Sequence, residues 1–207
     1  TGIDCVGFEI NPFAALVSKV KLQAVEVDVV SLNAALDRYC AFMRSLEEER
    51  CTHLPPHNVA PPGFRSRIPF FSKTVEAQVL HTLDYIQGLA QPQQDIFRVA
   101  LASVLVEFSN YTYEPSLGSR PGAGKALIDS APVGQIVSEK LHQIALDTAL
   151  LQQEMRGQSF RYSWAVHDYS YFESAKYVEP GSVDLVITSP PYMNNYNYVR
   201  NTRPQLY

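Results

Sequence analysis

The chain has 207 residues, 46% hydrophobic and 18% charged, enough to bury a core in one domain or in one domain carrying a large insertion. A formal charge of −4 excludes a generally basic surface that would hold nucleic acid by charge alone, but it leaves room for a local basic groove. No apolar run reaches membrane-spanning length, no signal peptide opens the sequence, and the three scattered cysteines (Cys5, Cys40, Cys51) make no disulfide framework, so a reducing, cytoplasmic setting away from membranes is expected.

Cys5 to Ile10 reads as a short buried strand, and Asn11-Pro12 supplies an N-cap followed by proline at the first helical position. A helix from Pro12 to about Gln23 follows, with Phe13, Leu16, Val17 and Val20 on one face. The long middle region lacks strand alternation. Helical spacing runs over Leu32 to Arg50, Lys73 to Leu89, Gln93 to Phe108 and Val133 to Met155, separated by loops at Leu54 to Gly63 and Ser109 to Ser130. Strand character returns at Tyr162 to Val166, which ends at His167-Asp168, and at Val183 to Thr188, a nearly continuous apolar run of the kind found in parallel sheets. Strands at both ends of a helical block predict an open α/β sheet interrupted by a largely helical insertion. The expected boundaries are 1–31 and 159–207 for the sheet and 32–158 for the insertion.

In open α/β sheets, ligands bind outside the carboxyl ends of the strands. Three predicted strand ends here carry distinctive chemistry: Glu9 with Ile10 and Asn11, Asp168, and the turn Ser189-Pro190-Pro191-Tyr192. Glu9 suits either an ordinary solvated acid or an acceptor for two ribose hydroxyls. Asp168 suits either a cap on the segment that follows or an acceptor for an adenine amino group. The proline pair removes two backbone donors, so the segment cannot continue a ladder and presents carbonyl oxygens at the edge. Such a turn suits a donor such as the exocyclic amine of a nucleobase. Ser189 Oγ and the Pro190 carbonyl would accept its N–H bonds and stabilise positive charge as a methyl group arrives, and Tyr192 would stack on a base flipped out of the duplex.

Val183 to Tyr192 resembles motif IV of the S-adenosylmethionine-dependent amino-methyltransferases of DNA, in the Thr-Ser-Pro-Pro-Tyr form commonest among cytosine-N4 enzymes. Val6 to Pro12 is similar to the second motif of that family and His167-Asp168 to its third. The tail Asn194 to Arg200 is similar to bacterial and phage modification methylases. The resemblance implies a Rossmann-like methyltransferase sheet, here partial, with Glu9, Ile10, Asn11 and Asp168 binding S-adenosylmethionine and Ser189, Pro190, Pro191 and Tyr192 forming the catalytic turn. It implies a site-specific methylase of bacterial, archaeal or phage origin that methylates cytosine N4, as in restriction-modification systems. Adenine-N6 methylation of DNA, RNA base methylation and a non-catalytic nucleic-acid-binding module are the alternatives. The family's glycine-rich first motif, Phe-x-Gly-x-Gly-Thr, would lie shortly before Gly2 and is not in the sequence. The chain is therefore expected to be an internal piece of a longer protein, inactive alone, whose full-length form is the enzyme.

Weaker signals complete the reading. Pro121-Gly122-Ala123-Gly124-Lys125-Ala126 fails as a phosphate loop, because Ser119 stands at the first glycine position and Ala126 at the Ser/Thr position. Ser109 to Arg120 with Lys125 reads either as a flexible loop touching DNA or as an ordinary connection. Arg120, Lys125, Arg200 and Arg203 are the candidate DNA contacts. Phe64, Arg65, Arg67, Phe70, Phe71 and Lys73 serve equally as core anchors with solvated cations or as nucleic-acid contacts. None of the cysteines lies in a nucleophile motif, which argues against carbon-5 methylation through a thiolate. The spacing of Cys40, Cys51, His53 and His57 matches no standard zinc finger, and no metal is assigned.

Overall fold

The computed structural model describes residues 3–48, 55–61, 66–113, 117–157, 162–189 and 203–206. It is a mixed α/β chain, mostly helical, with two two-stranded sheets. Strand β1 (Cys5–Phe8) leads into helix α1 (Pro12–Gln23), started as the sequence predicts. Asn11 Oδ1 accepts the amides of Phe13 at 3.0 Å and Ala14 at 3.3 Å, and Pro12 occupies a position whose N–H would have had no partner.

Helices α2 (Val29–Glu48), α3 (Lys73–Gln87), α4 (Gln93–Val104) and α5 (Val133–Glu154) form the block that holds most of the core. Each turns a helical-period stripe inward: Leu32, Leu36, Tyr39 and Met43 on α2, Val75, Val79 and Ile86 on α3, Val137, Leu141 and Ala145 on α5. Tyr39 lies edge-on to Phe97 with ring centroids 5.8 Å apart, and its hydroxyl pairs with buried Thr82 at 3.0 Å. Burial pushes the Tyr39 hydroxyl pKa up, so it is a neutral core group. At the start of α5 the helices come very close: a Cβ added at Gly134 would lie 2.8 Å from Met43 Cβ. A strap over residues 55–61 is tied to α3 by Asp84, which accepts the amides of His57 and Asn58, each at 2.8 Å.

The block is continuous with α1. Val20 and Val27 belong to the same apolar cluster as the helical core, and Gln152 Nε2 donates to the carbonyls of Ala24 and Val27, both at 2.8 Å. The sequence boundary near residue 31 is thus a change of pattern along the chain, not a gap in packing.

Far along the sequence, β4 (Trp164–His167) returns to pair with β1 in parallel, with Cys5 opposite Trp164 and Phe8 opposite His167. At the amino end of the pair, Asp4 accepts from both the amide and the hydroxyl of Ser163, and these bonds hold its carboxyl below the usual range. Helix α1 packs against β4, as a crossover helix does.

Two expectations are corrected. Val183 to Thr188 forms no strand; it is irregular and exposed, Ile187 to 88%. Apolar β-branched residues adopt a strand only where a neighbour supplies the ladder, and among the described residues nothing pairs with this run. The segment Ser109 to Ser130 is not a plain loop: it contains an antiparallel ribbon, β2 (Tyr111–Tyr113) with β3 (Leu117–Ser119), and a 3₁₀ turn over Pro121–Ala123. Among the described residues, no helix is long and apolar enough to cross a membrane.

Candidate functional site

The parallel register, continued by one residue, sets Glu9 opposite Asp168, and the Glu9 amide donates to the His167 carbonyl at 2.9 Å. Two acids separated by most of the chain therefore share one carboxyl edge. Glu9 Oε1 accepts the Asn11 amide at 2.8 Å, which steadies the carboxylate while leaving its second oxygen for a ligand. Asn11 is committed to capping α1, so it acts on the site by shaping the turn. Ile10 between them is 74% exposed and forms an apolar lip on the edge. Asp168 is exposed, and no partner of its carboxylate is formed within the described fold.

Beside the two acids stands a feature that the sequence reading missed. His167, the last residue of β4, and Tyr169, in the bend just past it, meet in one aromatic pile. Phe8 stacks on His167 at 5.3 Å, His167 on Tyr177 at 4.0 Å, and Tyr177 on Tyr169 at 5.7 Å with planes only 13° apart. The 3₁₀ turn Tyr171–Lys176, capped by Ser170, brings Tyr177 back onto the strand end. Partial desolvation and the neighbouring Tyr169 raise the Tyr177 hydroxyl pKa, which keeps it neutral. Tyr169 is 45% exposed at the end of the pile and offers a flat apolar surface next to Asp168. The available signal was the aromatic density of Asp168-Tyr169-Ser170-Tyr171-Phe172.

Of the proline turn, Ser189 is described, and it is exposed at the end of the irregular 183–188 run. Pro190, Pro191, Tyr192 and Arg200 lie outside the described residues. Arg203 opens a 3₁₀ turn, Arg203–Leu206, that packs on α4. Arg120 and Lys125 flank the 3₁₀ turn that follows the ribbon: the Lys125 amide donates to the Arg120 carbonyl at 2.8 Å, and Arg120 Nε donates to the Ala126 carbonyl at 2.8 Å. Among the described residues, no group of three or more His, Cys, Asp or Glu could hold a metal ion; Cys51 and His53 lie outside them.

The edge can therefore accept hydrogen bonds through two carboxylates and stack a planar group on an aromatic wall. No protein-family model matches the chain, and no curated protein and no solved structure matches it either.

Proposed function

We propose that the protein is an S-adenosylmethionine-dependent DNA methyltransferase that acts on the exocyclic N4 amine of cytosine. The observation that carries this reading is the parallel pairing of β1 with β4, which brings Glu9 and Asp168 to one carboxyl edge ahead of a Thr-Ser-Pro-Pro-Tyr sequence. The small β1–β4 sheet would be the described part of a Rossmann-like sheet.

The donor set fits an adenosyl group. Glu9 has a free carboxylate oxygen for ribose hydroxyls, Asp168 is open to accept from an adenine amine, and Ile10 and Tyr169 offer apolar surfaces to flank the ring. When bound, S-adenosylmethionine supplies a methyl group made electrophilic by a sulfonium. Ser189 Oγ and the carbonyl of Pro190, which lies outside the described residues, would accept the two N–H bonds of the cytosine amine and so free its lone pair for the new N–C bond. On taking the methyl group from the sulfonium, which would leave as the neutral thioether, the amine would release one proton to water. Tyr192 would stack on the flipped base.

The test is nucleoside mass spectrometry of DNA incubated with S-adenosylmethionine and the protein expressed from its complete reading frame. N4-methylcytosine is expected. N6-methyladenine alone would move the assignment to the adenine class, and modified RNA alone would move it to the RNA class. No methylation, with Ser189→Ala leaving the biological activity intact, would favour a non-catalytic nucleic-acid-binding module.

A further inference from the structure

We propose that the β2–β3 ribbon is the edge by which the protein grips duplex DNA, with Arg67 and Arg120 as its phosphate-binding cations. The inference rests on the reading of DNA as substrate and assigns that partner a surface.

The ribbon is fixed in place at its base. Asn110 is buried and uses every polar group it has: its amide donates to Phe70 O at 2.8 Å, its carbonyl accepts from Arg120 N at 2.9 Å, Nδ2 donates to Pro69 O at 3.1 Å, and Oδ1 accepts from Ile128 N at 2.8 Å. One residue, through its backbone and side chain, thus ties three segments together, so the ribbon meets a partner without a large ordering cost.

Both arginines are carried on this locked base. Tyr111 stacks on Phe70 at 5.2 Å, and its hydroxyl accepts the Arg67 amide at 3.1 Å, which holds the exposed Arg67 against the ribbon. Arg120 follows the last residue of β3, and its bond to Ala126 O orients the guanidinium while leaving the terminal nitrogens for a ligand. Among the described residues, neither guanidinium makes an ion pair. On a chain whose formal charge is −4, two arginines that make no ion pair among the described residues, one tied through its amide to Tyr111 and the other to Asn110, make a localised anion-binding feature. Arginine forks suit phosphate oxygens.

The same ribbon meets the chain that lies beyond the proline turn in sequence. Tyr113, at the far end of β2, is 42% exposed, and its hydroxyl accepts Gln205 Nε2 at 3.2 Å. Gln205 belongs to the turn whose Pro204 is buried and which packs on α4. DNA held at Arg67 and Arg120 would therefore be held by an element tied to the chain that follows Ser189.

The experiment is fluorescence anisotropy of a labelled duplex over a salt series, with the protein from its complete reading frame and with Arg67→Gln and Arg67→Gln/Arg120→Gln variants. Loss of two phosphate contacts should flatten the slope of log affinity against log salt by about 1.8, and Arg67→Gln alone by about half of that. Arg67→Gln leaves every described contact of the fold in place, so its effect reads contact and not folding. A wild-type slope retained by both variants overturns the proposal. Failure of the wild type to bind duplex, or a preference for RNA of the same length, overturns it as well. S-adenosylmethionine binding, measured separately by calorimetry, then judges the catalytic reading on its own.

Discussion

Within the helical block, Tyr39, Phe97, Phe108 and Leu141 are fully enclosed, whereas at the ends of β1 and β4 Ile10, Asp168, Tyr169 and Phe172 face solvent. The block spends its apolar residues on a core, and its polar atoms, such as Tyr39 and Thr82, satisfy one another inside it. The strand-end region leaves carboxylates and aromatic faces open, an arrangement that adds little to stability and makes sense as a place for a ligand. Stability and chemistry should therefore separate when each region is perturbed.

The largest effect is expected in the block. Phe97→Ala should cost about 3–5 kcal/mol of unfolding free energy by denaturant titration, and a loss under about 1 kcal/mol would break the assignment of stability to that core. Ser189→Ala should lower methyl transfer roughly 10²–10³-fold while leaving the unfolding midpoint unchanged, since Ser189 is exposed. Equal losses of activity and stability would remove the separation. Gly134→Ala, pressed against Met43 Cβ, should destabilise by about 1–3 kcal/mol without touching the strand ends, and a neutral result would mean that α2 and α5 can slide apart freely.

The smallest effect concerns acid. Burial works against ionisation of Asp84, yet the amides of His57 and Asn58 and the Asn58 side chain outweigh it, so its pKa lies below the ordinary 3.8. A depressed folded pKa means that this clamp contributes fully above the unfolded value and is lost as pH falls through the folded one. The thermal midpoint of Asp84→Asn should therefore differ from wild type at pH 6, and the gap should shrink as the pH falls below the ordinary 3.8. A gap that widened on acidification would reverse the sign.

The helices were legible because each buries a 3.6-residue stripe, and their starts were legible where side chains cap them: Asn11 accepts the first amides of α1, and Ser72 accepts Val75 N at 3.2 Å at the start of α3. α4 stops at Val104 instead of Phe108, where the Ser109 hydroxyl turns back to the Val106 carbonyl and accepts the Tyr111 amide. The ribbon escaped notice because its strands have three residues each, too few for alternation to register. Val183 to Thr188 was misjudged because strand character needs a ladder partner, which a local pattern does not reveal. Of the candidate site, Glu9 and Asp168 were legible as strand-end acids. The pile of Phe8, His167, Tyr177 and Tyr169 was not, since it depends on cross-strand register and on a 3₁₀ turn that folds Tyr177 back.

Calorimetric titration of S-adenosylmethionine into the protein expressed from its complete reading frame, beside Glu9→Gln and Asp168→Asn, tests the role of the strand-end edge most directly. Each substitution removes a charged acceptor, so affinity should fall by about tenfold or more in both variants with unchanged unfolding midpoints. Wild-type protein that binds no S-adenosylmethionine, or variants that bind it as tightly as wild type, would contradict the assignment of that edge to the adenosyl group.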